Sequence, residues 1–265
     1  MKSTLLSLLA LIFVTGCTAP DAPPNIIYIL ADDLGYNELG AYGQLIIRTP
    51  TLDQLASDGM MFTQHYSGSP VCAPSRGSLL TGKHTGNAYV RDNKEMGGWG
   101  PDEPEGQLPL LDSEVTIAEM LKPLGYQTGF IGKWGLGGPD SEGHPNNQGF
   151  DQFYGYLCQR VAHNYYPTHL WHNDEPDSLE GQEYFAAHQR IDAPLSSIDE
   201  YYARFAGEHY APDLMLDSAL EFLEANRTNP FFLLFATPVP HLALQVPIES
   251  LEEYPDSMDT EHFLG

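Results

Sequence analysis

Cys72 stands directly before Ala-Pro-Ser-Arg in the stretch SPVCAPSRGSLLTG, Ser69 to Gly82, so a thiol and the Arg76 guanidinium lie four residues apart. After Pro74 the segment reads as a helix start closed by Gly82, and a four-residue spacing lets the two side chains face one another across the first turn. Free amide groups at such a turn favour an anion. Asp32 and Asp33 form an adjacent carboxylate pair, costly to assemble unless a cation or water shares the charge. Their hard oxygens suit Ca²⁺ or Mg²⁺; a turn in which one Asp caps the next backbone amide is the plain alternative. Lys133, between Gly132 and Trp134, and His241, in TPVPHLALQVP, complete the set. Each residue alone also has an ordinary reading: a small buried thiol, a solvated helical arginine, a surface lysine.

The surrounding elements give these residues a common address. NIIYIL, Asn25 to Leu30, is a short β-rich apolar run that ends at Asp32, consistent with a buried parallel strand. TPTLDQLASDG carries helix signals, with Thr49 as N-cap, Pro50 in the first turn and Gly59 as stop. MMFTQHY reads as a second strand, and residues 91–113, rich in Gly, Pro and acids, as a long surface loop. SEVTIAEMLKPLG follows as a helix and YQTGFIG as a strand leading into Lys133. Residues 137–210 show little periodicity and many aromatics, reading as an elaborate insertion or a binding surface. PDLMLDSALEFLEANRTN is an amphipathic helix and PFFLLFAT a strongly apolar strand before His241. Strand and helix alternating in this way predict an α/β fold with a mainly parallel central sheet flanked by helices. Ligands of such sheets gather beyond the C-terminal strand ends. Asp32, Asp33, Cys72, Lys133 and His241 are all expected there.

The bulk properties narrow the partners. The 265 residues carry a formal charge of −24, which argues against nucleic acid, because a phosphate backbone demands a basic footprint. The acidity is uneven: residues 1–90 hold 6 acids and 4 bases against 30 and 8 downstream, so the Cys72 region tolerates an anionic ligand. At the N-terminus, Lys2 and the apolar run LLSLLALIFV are followed by VTGC, ending at Cys17. This reads as a lipoprotein signal peptide over residues 1–16, with Cys17 lipidated and residues 17–24 as a stiff tether. The expected location is therefore outside the cytoplasm, membrane-anchored in the periplasm or at a bacterial cell surface. With Cys17 lipidated, nothing in the sequence brings Cys72 and Cys158 within bonding distance.

Taken together and in order, these segments resemble the type I sulfatases of the alkaline phosphatase-like superfamily. CAPSRGSLLTG is similar to the signature in which Cys-x-Pro-Ser-Arg directs conversion of Cys to formylglycine; NIIYILADDLGY resembles the opening strand and metal pair, GFIGKWGLG the lysine motif, and TPVPHLALQVP the segment with a substrate-binding histidine. The resemblance implies hydrolysis of sulfate esters on a sulfated small molecule or glycan. Cys72 would become a formylglycine whose hydrate attacks sulfur and later expels sulfate, after processing by a sulfatase-maturing enzyme. It further implies a divalent cation, Ca²⁺ first and Mg²⁺ second, held partly by Asp32 and Asp33 beside Cys72, with Arg76 on the hydrate and Lys133 and His241 meeting the sulfate. Residues 25–265 would form the N-terminal catalytic domain.

Two departures stand out. The family's lysine motif commonly reads Gly-Lys-Trp-His-Leu-Gly, and here Gly135 takes the histidine's place. QRVAHNYYPTHLWHN offers replacements, His163 first and His169 second, as proton-transfer partners. The family's other metal ligands and a further lysine lie downstream of the His241 segment, so the chain, ending at EHFLG, reads as C-terminally truncated and its catalytic domain as incomplete. Two other functions fit the same residues: a phosphomonoester or phosphonate ester hydrolase of the same superfamily, and a non-catalytic lipoprotein that binds sulfated glycans.

Overall fold

A computed structural model of the chain describes residues 23–97, 100, 102–183, 197, 200, 204–241, 245–251 and 253–254. The signal peptide, Cys17 and most of the tether lie outside the described residues. Six strands form one mixed sheet: β1 Ile26–Ala31, β2 Gln127–Lys133, β3 Gln152–Tyr156, β4 His169–His172, β5 Glu175–Ser178 and β6 Phe231–Thr237. Their spatial order is β1-β6-β2-β3-β4-β5. β1, β6, β2 and β3 run parallel, and β4 and β5 add an antiparallel margin.

β6, all apolar except its last residue, takes the place between β1 and β2, and its first four residues are buried. A strand with both neighbours parallel and both faces covered is expected to read as such a continuous run. One face is covered by helix α4, Ala211–Ala225, whose buried Ala211, Met215, Ala219 and Phe222 form one stripe at helical spacing. They pack with Ile131, Tyr154, Phe231 and Leu233. The other face packs Phe130, Trp134, Phe150, Phe153, Phe232 and Leu234 with Ala73 and Leu80 of helix α2, Cys72–Thr81. Ala118 joins them from helix α3, Ile117–Leu121, which is capped reciprocally by Thr116 and Glu119.

One expectation needs correction. MMFTQHY forms no strand; Met60, Phe62 and Tyr66 are exposed, and an apolar run without a partner edge has nothing to bond its backbone. Within 137–210, the described residues supply the short strands β3, β4 and β5, consistent with an elaborate insertion. The helix α1, Pro50–Asp58, and α2 form where expected, although α2 already starts at Cys72.

His144 yields a pH prediction. Buried at the start of the turn Pro145–Gln148, it donates from Nε2 to the Asn173 carbonyl at 3.2 Å and accepts the Asn146 amide at Nδ1 at 3.3 Å. Both nitrogens are used by the neutral ring, and a second proton would confront the Asn146 N–H. Burial outweighs the Asn173 bond and the charges of Asp174 and Asp140, lowering the imidazole below its ordinary 6.5. Below pH 6.5 the unfolded chain takes up the proton first. This contribution to stability is therefore whole above pH 6.5 and shrinks as pH falls from there through the lowered folded value. Urea midpoints between pH 7.5 and 5 should fall more steeply for the natural protein than for His144→Asn.

Candidate active site

The sheet order explains how distant residues meet. Asp32 follows β1, Lys133 ends β2, and His241 follows β6 through Pro238, Val239 and Pro240. Because β6 lies between β1 and β2, all three leave the same edge of the sheet on neighbouring strands. Lys133 nevertheless spans from β2 to the β1 end: its Nζ donates to Asp32 Oδ2 at 2.6 Å. Gly132 permits the close strand approach just before it. With φ +125°, its added Cβ would sit 2.0 Å from the Ala236 carbonyl oxygen.

α2 brings Cys72 and Arg76 over this edge. Lys133 Nζ lies 3.7 Å from Cys72 Sγ. Arg76 donates from Nη2 to Asp32 Oδ1 at 3.0 Å and from Nη1 to the Lys133 carbonyl. Asp32 is 6% exposed, Arg76 4% and Lys133 0%, so one carboxylate sits between two buried cations. Burial alone would raise the Asp32 carboxyl, but Arg76, Lys133 and His241 together hold it below its ordinary value. Burial also pushes the Cys72 thiol up. The His241 hydrogen bond and the charges of Lys133 and Arg76 outweigh burial and Asp32, and the net result is a lowered thiol. The amides of the first turn of α2 are less free than expected, because the Ala73 N–H is taken by Asn93 Oδ1 at 2.9 Å and Pro74 has none. Attraction for an anion here comes from Lys133 and Arg76 instead.

Asp33, in a left-handed conformation (φ +59°), turns outward with its side chain 60% exposed, 3.3 Å from His241 Nε2. Asp32, Cys72 and His241 place ligand atoms within 4.8 Å of one another. For a hard cation the donors fit in kind: Asp32 and Asp33 carry carboxylate oxygens at one strand end. They supply only part of the six to eight oxygens that Ca²⁺ takes, and both Asp32 oxygens already bond cationic side chains.

Of the two candidate imidazoles, His163 comes to the site. Its ring lies parallel to that of His241, with centroids 4.4 Å and planes 9° apart. His169 does not; its Nε2 bonds Glu105 at 3.1 Å, beside Trp171. Gly135 has φ +85°, and a Cβ there would lie 2.3 Å from Gln159 Nε2. Sequence reasoning missed three supporting residues, Asn93, Gln159 and Tyr165. The last presents its hydroxyl to the Pro238 carbonyl at 2.8 Å. Their only sequence signal is proximity to a motif or membership of an aromatic segment.

Comparison with known proteins gives a consistent result. The family model described as Sulfatase matches residues 24–262. Human N-acetylgalactosamine-6-sulfatase is 33% identical over 241 residues, covering 85% of this chain and 41% of that protein. Mouse steryl-sulfatase is 44% identical over 138 residues, covering 50% of this chain and 22% of that protein. Among solved structures, Ps i-CgsB in complex with k-i-k-neocarrahexaose superposes with a TM-score of 0.67 at 28% identity, over 88% of this chain and 49% of that one. BT4656 in complex with its substrate D-glucosamine-2-N,6-O-disulfate gives 0.60 at 27% identity, over 83% and 35%. The chain thus spans less than half the length of these relatives.

Proposed function

Because the chain belongs to the sulfatase family, we propose that the protein hydrolyses sulfate esters of a sulfated carbohydrate, with Cys72 as the precursor of its nucleophile. The observation that carries this reading is the placement of Cys72 Sγ beside the buried Lys133 ammonium, itself bonded to the Asp32 carboxylate that Arg76 shares. The carbohydrate class is supported by relatives named for, or solved with, sulfated sugars.

The chain's own residues account for much of the chemistry. Lys133 and Arg76 are fixed cations that need no reorganisation when negative charge grows on the sulfate, and such preorganised charge is usually the largest catalytic term. Lys133 directs its ammonium at Asp32 and at Cys72, so the positive charge it brings to a sulfate held at position 72 is fixed in place. His241, between Cys72 and Asp33, is placed to meet a sulfate held beside position 72. Asp32 keeps the two cations together in a buried site. Asp33 and Asp32 would hold a divalent cation, which supplies Lewis acidity when bound, and formylglycine at position 72 supplies a hydrated aldehyde as nucleophile. The lipobox-like VTGC sequence ending at Cys17 supports an exported, lipid-anchored protein.

The test uses the full chain made in a host with a sulfatase-maturing enzyme. The tryptic peptide Thr49–Arg76 should have lost its thiol in favour of an aldehyde or its hydrate, and the protein should release sulfate from an aryl sulfate far faster than phosphate from the matching aryl phosphate. An intact Cys72, under conditions where a control sulfatase matures, would sink the proposal. Faster phosphate release would assign the site to phosphorus esters.

A further inference from the structure

The segment following β3 contacts the proposed site at three points. Gln159 fills the space beside Gly135, so a side chain at 135 and Gln159 exclude one another in this conformation. The turn Val161–His163 then lays the His163 ring flat on His241, and the buried Tyr165 holds the carbonyls of Pro238 and His241 within reach of its hydroxyl. His241 is thus gripped by one short segment at both its ring and its backbone. In a parallel stack the ring nitrogens point outward in their own planes, so His163 cannot pass a proton to His241 face to face. What a stack transmits is orientation.

We propose that His163 is a positioning residue: its face fixes the plane of the His241 ring, so that His241 meets Cys72 on one side and Asp33 on the other. This inference rests on the sulfatase reading above. It differs from a proton-transfer role for His163, because it needs a flat ring and no ring nitrogen.

The experiment is a mutant cycle on the full, matured chain, with formylglycine occupancy checked by mass and kcat and KM measured on an aryl sulfate. His163→Ala should lower kcat by about 10-fold or more, as misplacement of a reacting group does, while KM stays within about twofold. His163→Phe, flat but without nitrogens, should recover most of that loss, and it keeps the test readable if His163→Ala folds poorly. In a His241→Ala background, His163→Ala should cost nothing further, because a residue acting through another is silent once the other is gone. Equal damage from Phe and Ala, or a full additional loss on top of His241→Ala, would overturn the positioning role alone. A matured natural protein that turns over no sulfate ester would overturn the parent reading, and this one with it.

Discussion

Asp32→Asn should destabilise the folded protein by about 3–5 kcal/mol, the usual cost of removing one member of a buried ion pair. The expectation follows from geometry. Asp32 carries Arg76 on one oxygen at 3.0 Å and Lys133 on the other at 2.6 Å, and none of the three is more than 6% exposed. Asparagine preserves shape and removes the anion, leaving two cations facing one another out of water. A second replacement distinguishes this cause from loss of packing. Adding Lys133→Met removes one of the stranded charges and should restore part of the urea midpoint, although each change alone is harmful. If the double variant is weaker than Asp32→Asn by the full cost of Lys133→Met, the two sites are independent and the triad explanation fails. The measurement needs no substrate and no metal.

Gly132→Ala should cost about 4 kcal/mol or more, placing it among the exceptional single substitutions. Two penalties combine. The residue sits at φ +125°, a backbone region that L side chains rarely adopt, and its Cβ would lie 2.0 Å from the Ala236 oxygen and 2.5 Å from its carbon. The obstacle is backbone of the central strand β6, which no rotamer change can clear. Either β6 moves away from β2 or Lys133 leaves its place at the strand end. The protein should therefore lose both its urea midpoint and any turnover together. A loss of unfolding free energy below about 1 kcal/mol would mean that the strands separate there without cost.

Much of this was legible beforehand. β1 and β6 are apolar runs bounded by turn residues, β2 carries the short apolar pair Phe130-Ile131 between glycines, and α1 and α2 carry a start proline or a glycine stop. Strand ends in a parallel sheet then placed Asp32, Lys133 and His241 together. What was hidden has physical reasons. β4 and β5 have four residues each, and β5 reads Glu-Pro-Asp-Ser, with no apolar signal to find. MMFTQHY shows the converse, since apolar content does not guarantee a free edge to pair with. The double engagement of Asp32 depends on side chains from β1, α2 and β2, and no spacing within one segment reports it. That Gly135 is hemmed in by Gln159, and that His163 rather than His169 reaches His241, depends on how the chain turns after β3.

The central place of β6 also has a kinetic consequence. β1 and β2 are made first, yet they cannot bond one another, because the position between them belongs to a strand that begins about a hundred residues after β2. Closing loops of that length before any reward is what makes parallel sheets slow to fold and exposes their edges meanwhile. The lone strand β1 and the β2-β3-β4-β5 part of the sheet, each with a raw edge, must wait for one insertion. Until it happens, His241 has no site to enter, so the chemistry of this edge is among the last things the chain acquires.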